Sequence, residues 1–424
     1  MSLLSIVTKA LNALDLDDEV NRLVIDRTVN VCRNRPHPWS TKHDYISWSG
    51  LTDRTYNARL LPAKPTTGQG IGTSRPPLQA TAALFARPPG VNQRLCPKST
   101  GLFPAFAQYL TDGFIRTMLH NNDDKEDRRR TTSNHEIDLS PLYGRTEAQT
   151  RALRAGTGGR LKSQVINGEE YSPFLFGADG NVKPEFAILD LPLGLKNVTP
   201  AGKATLFAVG GDRVNAVPQT AMMNTLFLLN NSLLIGSGLA QSFVNTSANR
   251  TATLGLENAA SFMMFAETGA INQARINNVA SYNDYRLAMG MEPARNFAAI
   301  VGSSDTPAEQ ARLSALAKRL EGLYGDVNNV EYYIGLFAER VEKNGPLPEL
   351  VSSMVAMDAF SQALTNPLLS EHVWGNPANK RLAFTEDGIK AIEQTKRLRD
   401  IVDRNAKGLG NAFVGMTRKE WKRS

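Results

Sequence analysis

Residues 210–231 read GGDRVNAVPQTAMMNTLFLLNN, and the interpretation of the whole chain depends on them. A glycine pair, an aspartate and Arg213 lead through Pro218 into an apolar run that stops at Asn230 and Asn231. Proline is well tolerated in a first helical turn, so a helix is expected to begin at Pro218. The glycine pair is not a phosphate loop, because neither GxxxxGK followed by Ser or Thr nor GxGxxG is present. On the residues alone, Arg213 is a surface or structural arginine.

The composition is that of a large globular protein. The chain has 424 residues, 42% of them hydrophobic, and a formal net charge of +7. That suits one large domain or two or three of average size. The positive excess collects at Arg128–Arg130 and at the C-terminus, in Arg418, Lys419, Lys422 and Arg423. We interpret these residues as solvated loops and a basic tail; the alternative is a tail that touches nucleic acid or anionic lipid. No nucleic-acid partner is expected, because no interleaved aromatic pattern accompanies the basic residues.

Cysteine content and hydropathy bear on location. The two cysteines, Cys32 and Cys96, are far apart and form no CxxC motif, so a reducing compartment is favoured. No apolar run is long enough for a spanning helix, and the N-terminus lacks the features of a signal peptide. Residues 3–14 have helical apolar spacing and predict an amphipathic helix that packs on its own protein or lies on a membrane. We therefore expect a cytoplasmic protein or one in peripheral contact with a membrane.

Helical periodicity dominates the chain after its first quarter. Residues 33–100 are rich in proline and glycine and predict a long irregular arm. Regular helical spacing begins at about residue 103. Further helices are predicted at 257–275, 306–323, 329–341, 349–364 and 385–404. Strand signals are sparse, so the fold class is mainly α with long irregular loops.

Residues 103–114, FPAFAQYLTDGF, combine apolar and polar side chains on one predicted helix. Gln108 and Asp112 are four residues apart and therefore share one helical face. Such a pair either lines a buried polar pocket or lies on the solvent face of an amphipathic helix. The sequence leaves both interpretations open.

A second polar motif lies in TSNHEIDLSPLYG, residues 132–144. Glu136, Asp138 and Ser140 alternate there, and alternating oxygen donors in a loop are one way to gather the ligands of Ca²⁺. The alternative is an ordinary turn before a helix. The five histidines, His37, His43, His120, His135 and His372, have no metal-binding spacing.

Several of these stretches, in this order, resemble the animal-type haem peroxidase superfamily, in particular its bacterial cyclooxygenase-like and fatty-acid dioxygenase-like members. The resemblance covers nearly the whole chain. It rests on residues 103–114, 134–144, 159–176, 210–228, 280–291, 320–339 and 366–374. It implies one mainly α haem-peroxidase-like domain over residues 1–424. Its parts would be an N-terminal helix and arm (1–100), a distal-side half (101–228) and a C-terminal half (229–424).

The resemblance also implies an enzyme: a haem-dependent peroxidase or dioxygenase that acts on an unsaturated fatty acid with O₂ or peroxide. Arg213 would lie above the haem and stabilise the negative charge that forms when an O–O bond breaks. Gln108 matches the family's distal glutamine, and Asp112 stands where the family has its distal histidine. Asp138 and Ser140 would bind Ca²⁺ through side chains and Glu136 through its carbonyl.

The sequence departs from the family after Phe227. The family's next segment carries the proximal histidine that ligates iron and, in cyclooxygenase-like members, the catalytic tyrosine. Here the residues that follow Phe227 resemble a part of the family sequence that lies well beyond that histidine. This predicts an internal deletion near Leu228 and an incomplete core. Haem in this family needs an axial imidazole. The sequence therefore predicts weak haem binding and negligible dioxygenase turnover, and the alternative function is a non-catalytic remnant with a residual lipid- or protein-binding role.

Overall fold

A computed structural model of the chain is mainly helical. The structure describes residues 60–64, 75–113, 139–158, 160–192, 194–216, 221–223, 238–341, 345–365, 372–406 and 408–418. Its first five helices are α1 Leu78–Ala82, α2 Leu102–Thr111, α3 Ser140–Tyr143, α4 Glu147–Leu153 and α5 Pro200–Lys203. The next five are α6 Leu239–Ala248, α7 Met264–Ile276, α8 Tyr282–Ala288, α9 Phe297–Val301 and α10 Pro307–Tyr324. The last five are α11 Tyr332–Ala338, α12 Glu349–Thr365, α13 Pro377–Ala383, α14 Glu386–Gln394 and α15 Leu398–Asn405.

Strands are few and short in the described part of the chain. They are β1 Leu95–Thr100, β2 Gln164–Ile166, β3 Glu169–Tyr171 and β4 Arg250–Ala252. β1 pairs antiparallel with β4, and β2 pairs antiparallel with β3. The β2–β3 turn is Asn167-Gly168, both with positive φ (52° and 79°), which is the signature of a tight hairpin turn. The mainly α prediction is confirmed.

The apolar side chains of the described residues form three buried clusters. The first unites the C-terminal helices α7 to α11 with α1. The second packs α2, α6, β3 and α15 around residues 207–223. The third fills the space between α4 and residues 175–208. The second cluster holds the site, because both α2 and the segment that contains Arg213 contribute to it.

α10 illustrates how the helical spacing leads to burial. Leu313, Leu316, Leu320 and Tyr324 recur every three or four residues, and all four are buried in the first cluster. Pro307 occupies the first turn, and the helix ends before Gly325, whose φ of 68° a glycine adopts without strain. The helix predicted over 306–323 is confirmed.

The other predicted helices hold with three changes of boundary, the first being that the helix predicted over 329–341 spans only Tyr332–Ala338. The helix predicted over 257–275 begins at Met264, because Asn258 donates its side-chain amide to the Arg94 carbonyl and Ala259 bonds to Phe85. The helix predicted over 385–404 is two helices, α14 and α15. The Asp400 carboxylate accepts the backbone N–H groups of residues 396 and 397 and so begins a new helix there.

The predicted irregular arm at residues 33–100 is partly wrong, since it contains α1 and β1. Residues 221–223, three residues after Pro218, are helical. The amphipathic helix predicted at 3–14, the junction near Leu228, and Asn230 with Asn231 lie outside the described residues. No helix in the described ranges is long and apolar enough to cross a membrane.

Candidate active site

α2 delivers two of the predicted site residues to different environments. Leu102, Ala105 and Tyr109 recur at helical spacing and are buried, which anchors α2 in the second cluster. Gln108 lies at the edge of this buried stripe and is exposed. Asp112 caps the helix C-terminus and is buried. The two residues therefore do not form one pocket, although they are four residues apart.

Arg213 lies on a short turn whose two ends are tied together. The Asn215 side chain accepts the Phe207 N–H and donates to the Phe207 carbonyl, each at 3.1 Å. Phe207 and Val214 are buried in the second cluster, so the base of the turn is fixed by packing as well. Residues 210–213 form the tip of this turn. GGDR thus serves to present an arginine and not to hold a phosphate.

The glycine pair lets this tip approach α3 more closely than any other residue would allow. A Cβ at Gly210 would lie 2.3 Å from both the Gly144 N and the Ser140 O. A Cβ at Gly211 would lie 3.2 Å from Pro141 Cα and 3.3 Å from Asp112 Oδ2. The Gly211 N–H donates to the Pro141 carbonyl at 2.9 Å. Gly210 is therefore required by close backbone contact, and Gly211 leaves little room for a side chain.

Arg213 and Asp112 meet at this contact. The Arg213 Nη1 lies 3.3 Å from Asp112 Oδ1. The Asp112 side chain is 2% exposed and that of Arg213 is 33% exposed. A buried carboxylate needs a cation or strong hydrogen bonds to remain charged, and Arg213 supplies the cation. The arginine keeps one side open to solvent, where a ligand could reach it.

A second arginine lies behind the turn, and sequence reasoning missed it. Arg145 is buried, and its Nη1 lies 3.9 Å from Oδ1 of the buried Asp212. It also pairs with Asp190, and its backbone N–H donates to the Gln149 side chain. The only sequence signal was its place directly after Gly144, the last residue of the 132–144 motif. An arginine beside a glycine required for close packing is a candidate for burial.

The predicted calcium loop falls only partly within the description. Ser140 is buried at the start of α3, and its Oγ donates to the Gly113 carbonyl at 3.4 Å. Asp138 and Glu136 lie outside the described residues. Within the described ranges, no group of three or more acidic, histidine or cysteine side chains is arranged to hold a metal. Calcium binding by Asp138, Ser140 and Glu136 therefore stays a prediction.

Comparison with known proteins gives this geometry its context. The family model for the animal haem peroxidases matches residues 103–231 and 257–413, about two thirds of the chain. The chain belongs to the animal haem peroxidase family. Both site segments, α2 and the turn that carries Arg213, lie in the first matched stretch. The chain is thus a member of a family of haem-dependent oxidoreductases.

Relatives of this haem peroxidase span most of its length. Prostaglandin G/H synthase 1 of Rattus norvegicus is 24% identical over 496 residues, which covers 93% of this chain and 78% of that protein. Prostaglandin G/H synthase 2 of Bos taurus is 24% identical, with 88% and 74% covered. Among solved structures, fatty acid alpha-dioxygenase of Oryza sativa is similar, with a TM-score of 0.61, 12% identity and 95% and 94% covered. Peroxidase A of Dictyostelium discoideum has a TM-score of 0.59, 12% identity and 86% and 96% covered.

The sequence alignment also bears on the predicted deletion. The alignment with the Rattus norvegicus protein extends over 496 residues, whereas 93% of a 424-residue chain is about 394 residues. About 100 aligned positions therefore have no residue in this chain. The match to the family model is interrupted after residue 231. Neither observation gives the position of the missing residues, and the internal deletion near residue 228 stays a prediction.

The described residues fit the distal side of a haem site. Arg213 offers a partly exposed guanidinium, and Asp112 offers a buried carboxylate beside it. The one histidine within the described ranges is His372, which is exposed and therefore does not resemble a buried axial ligand. His37, His43, His120 and His135 lie outside the described residues.

Proposed function

We propose that the chain is a haem-dependent oxidoreductase of the peroxidase type that reduces the hydroperoxide of an unsaturated fatty acid. Family membership supports the haem and the reaction class. The observation that carries the proposal is the pair formed by Arg213 and the buried Asp112 at the end of α2, with Nη1 and Oδ1 3.3 Å apart. This pair joins the two segments in which the resemblance places the distal residues.

Arg213 acts on the oxygen that leaves when a peroxide O–O bond breaks. That oxygen gains negative charge, and a guanidinium that is already fixed in place stabilises the charge without reorganisation. Two features fix its position: the two hydrogen bonds between the Asn215 side chain and the Phe207 backbone, and the close approach of Gly210 and Gly211 to α3. The open side of Arg213 gives an anionic ligand access to the guanidinium.

Asp112 takes the place that the family gives to a proton-transferring histidine. Its carboxylate can accept a proton from a peroxide, as a general base does. Because Oδ1 also pairs with Arg213, protonation of Asp112 would remove the charge that holds the guanidinium. The arginine would then present its full positive charge to the departing oxygen. Gln108, which is exposed one helical turn before Asp112, is proposed as a residue at the entrance to the site.

Haem, when bound, would supply the redox equivalents for this chemistry. Arg213 and Asp112 would contact ligands bound to it, and the residue that would hold its iron is unknown. His135 is a candidate, although its loop is also the predicted calcium loop.

The substrate class follows the relatives. They include prostaglandin G/H synthases and fatty acid alpha-dioxygenases, so a fatty acid is the substrate class that we propose here. The segment that carries the dioxygenase tyrosine in the family is the one predicted to be deleted. We therefore expect peroxide reduction to persist and oxygenation to be negligible. The comparisons give no support to a non-catalytic remnant.

Hemin-loaded protein supplied with linoleate hydroperoxide and a phenol as reductant tests the proposal. The hydroperoxide should be converted to the alcohol and water with two electrons from the phenol, faster than with free hemin. Oxygen uptake with linoleate alone should stay at the free-hemin rate. Sustained oxygen uptake would show that the chain has rebuilt a dioxygenase site. Hydroperoxide conversion no faster than with free hemin would overturn the proposed function.

A further inference from the structure

The buried Arg145 contacts the turn that presents Arg213 through Asp212. Its side chain is 4% exposed, and that of Asp212 is 6% exposed. Arg145 Nη1 lies 3.9 Å from Asp212 Oδ1, and Asp212 immediately precedes Arg213 in the chain. Two neighbouring residues of one turn are therefore each paired with a residue from another segment: Asp212 with Arg145, and Arg213 with Asp112.

Arg145 is itself held by a network from a different part of the chain. It pairs with Asp190, whose Oδ2 also accepts the Gln149 side-chain amide at 2.9 Å. The Arg145 backbone N–H donates to the other end of the same Gln149 amide at 2.9 Å. Gln149 lies in the first turn of α4. Contacts other than the one with Asp212 thus fix the position of the Arg145 guanidinium.

We propose that Arg145 is a positioning residue for the site, which holds Asp212 and thereby fixes the orientation in which Arg213 faces Asp112. The inference rests on the proposed function for its catalytic meaning. Acidic and basic side chains alternate in this network. Asp190 contacts Arg145, and Arg145 contacts Asp212. Asp212 precedes Arg213 in the chain, and Arg213 contacts Asp112. Without Arg145, the carboxylate of the nearly buried Asp212 would attract the guanidinium of Arg213, the next residue in the chain. Arg213 would then be shared between two carboxylates.

Unfolding of the protein without haem tests the coupling directly. Arg145→Met, Asp112→Asn and the double variant are compared by urea titration. Residues that act through one network change the unfolding constant non-additively, and we expect a deviation of about threefold or more from the product of the single effects. Arg151→Met is the matched control, because Arg151 is exposed and pairs with Glu147 on α4. Its effect should multiply with that of Asp112→Asn to within about twofold.

A second readout separates positioning from simple loss of stability. In hemin-loaded protein, Arg145→Met should reduce the preference for cyanide over carbon monoxide, because Arg213 is no longer directed at the ligand. Arg145→Lys, which keeps the charge beside Asp212, and the double variant Arg145→Met with Asp212→Asn, which removes both charges, should each retain most of that preference.

The two proposals fail in different ways. A wild-type protein with no hemin-dependent preference for anions would contradict the proposed function. The coupling between Arg145 and Asp112 would still be decided by the unfolding of haem-free protein. Strictly multiplicative effects of Arg145→Met and Asp112→Asn would overturn the role of Arg145. An unchanged cyanide preference in Arg145→Met would overturn it as well.

Discussion

Arg213 Nη1 lies 3.3 Å from Oδ1 of Asp112, and this contact joins two segments 101 residues apart in the sequence. It places a cation against a carboxylate at the position where the family has a histidine. The pair is asymmetric, since Asp112 is almost completely buried and Arg213 is one-third exposed. Each partner therefore controls the charge that the other presents to a ligand.

Substitutions in this pair should move anion affinity in opposite directions. Arg213→Met removes the positive charge, so cyanide binding to hemin-loaded protein should weaken by tenfold or more, the order expected for one charge at about 4 Å. Asp112→Asn removes the compensating negative charge, so cyanide binding should strengthen. Carbon monoxide is neutral, and its affinity should change little in both variants. Equal shifts for cyanide and carbon monoxide would place Arg213 outside the ligand site.

The glycine contact predicts a sharp difference between two substitutions. Gly210→Ala should destabilise the protein by about 1–3 kcal/mol or more, because its Cβ would meet Gly144 N and Ser140 O at 2.3 Å. Gly269→Ala is the matched control in α7, where a Cβ meets nothing within 4 Å. It should stabilise the protein by about 0.5–1 kcal/mol through helix propensity. Urea unfolding measures both, and a stabilising Gly210→Ala would show that the turn does not pack as closely as described.

An acidic residue on α10 should make stability depend on pH. The Arg312 guanidinium donates to both oxygens of Glu309, at 2.8 and 2.7 Å, and this hydrogen bonding lowers the pKa of the carboxyl below its ordinary value of 4.5. The folded state therefore binds this proton less readily than the unfolded state. The stabilisation is fully present above pH 4.5 and disappears as pH falls through the lowered pKa.

Glu309→Gln should accordingly be less stable than the wild type at pH 7, with the difference shrinking as the pH falls below 4.5 and through the lowered pKa. Glu147→Gln, which removes an exposed pair with Arg151 on α4, serves as a control and should change stability by no more than about 0.5 kcal/mol. Urea unfolding at several pH values gives both curves. A Glu309→Gln deficit that is constant with pH would rule out an electrostatic origin.

Calcium binding gives an independent prediction. Calorimetric titration of the folded protein with Ca²⁺ should show weak binding that is lost in Asp138→Ala. Ser140 lies where such a loop would meet the end of α2, with its Oγ donating to the Gly113 carbonyl. The residue at 113 is a glycine, so α2 offers a carbonyl there and no carboxylate, which limits the affinity. Identical heats for the wild type and Asp138→Ala would remove the site.

Helical spacing was sufficient to predict α10 and α12, because apolar residues that recur every three or four positions form one apolar helix face. It was insufficient for α14 and α15, where a single carboxylate, Asp400, ends one helix and begins another. The Asn167-Gly168 dipeptide is a clear turn signal from which this hairpin could have been predicted. Periodicity indicates which face of a segment is apolar, but a local cap or turn decides where the segment stops.

For the site, the sequence identified candidate residues but not their contacts. Arg213 and Asp112 were identified by resemblance, but their spacing in the sequence could not show that they touch. The equal treatment of Gln108 and Asp112 was wrong in one respect, since only Asp112 is buried. Arg145 was missed because burial of a lone arginine depends on Asp190 and Asp212, which come from distant segments. Such long-range charge pairing leaves no local pattern in a single sequence.

Peroxide turnover by hemin-loaded protein, measured for the wild type, Arg213→Met and Asp112→His, tests the central claim most directly. The Soret band of each sample first establishes how much hemin is bound. Per bound hemin, the wild type should exceed free hemin, Arg213→Met should fall to the free-hemin rate, and Asp112→His should be faster than the wild type by about tenfold or more, because a distal histidine transfers the proton more effectively. Equal rates for all three proteins and free hemin would contradict the claim that Arg213 and Asp112 form the distal side of a haem site.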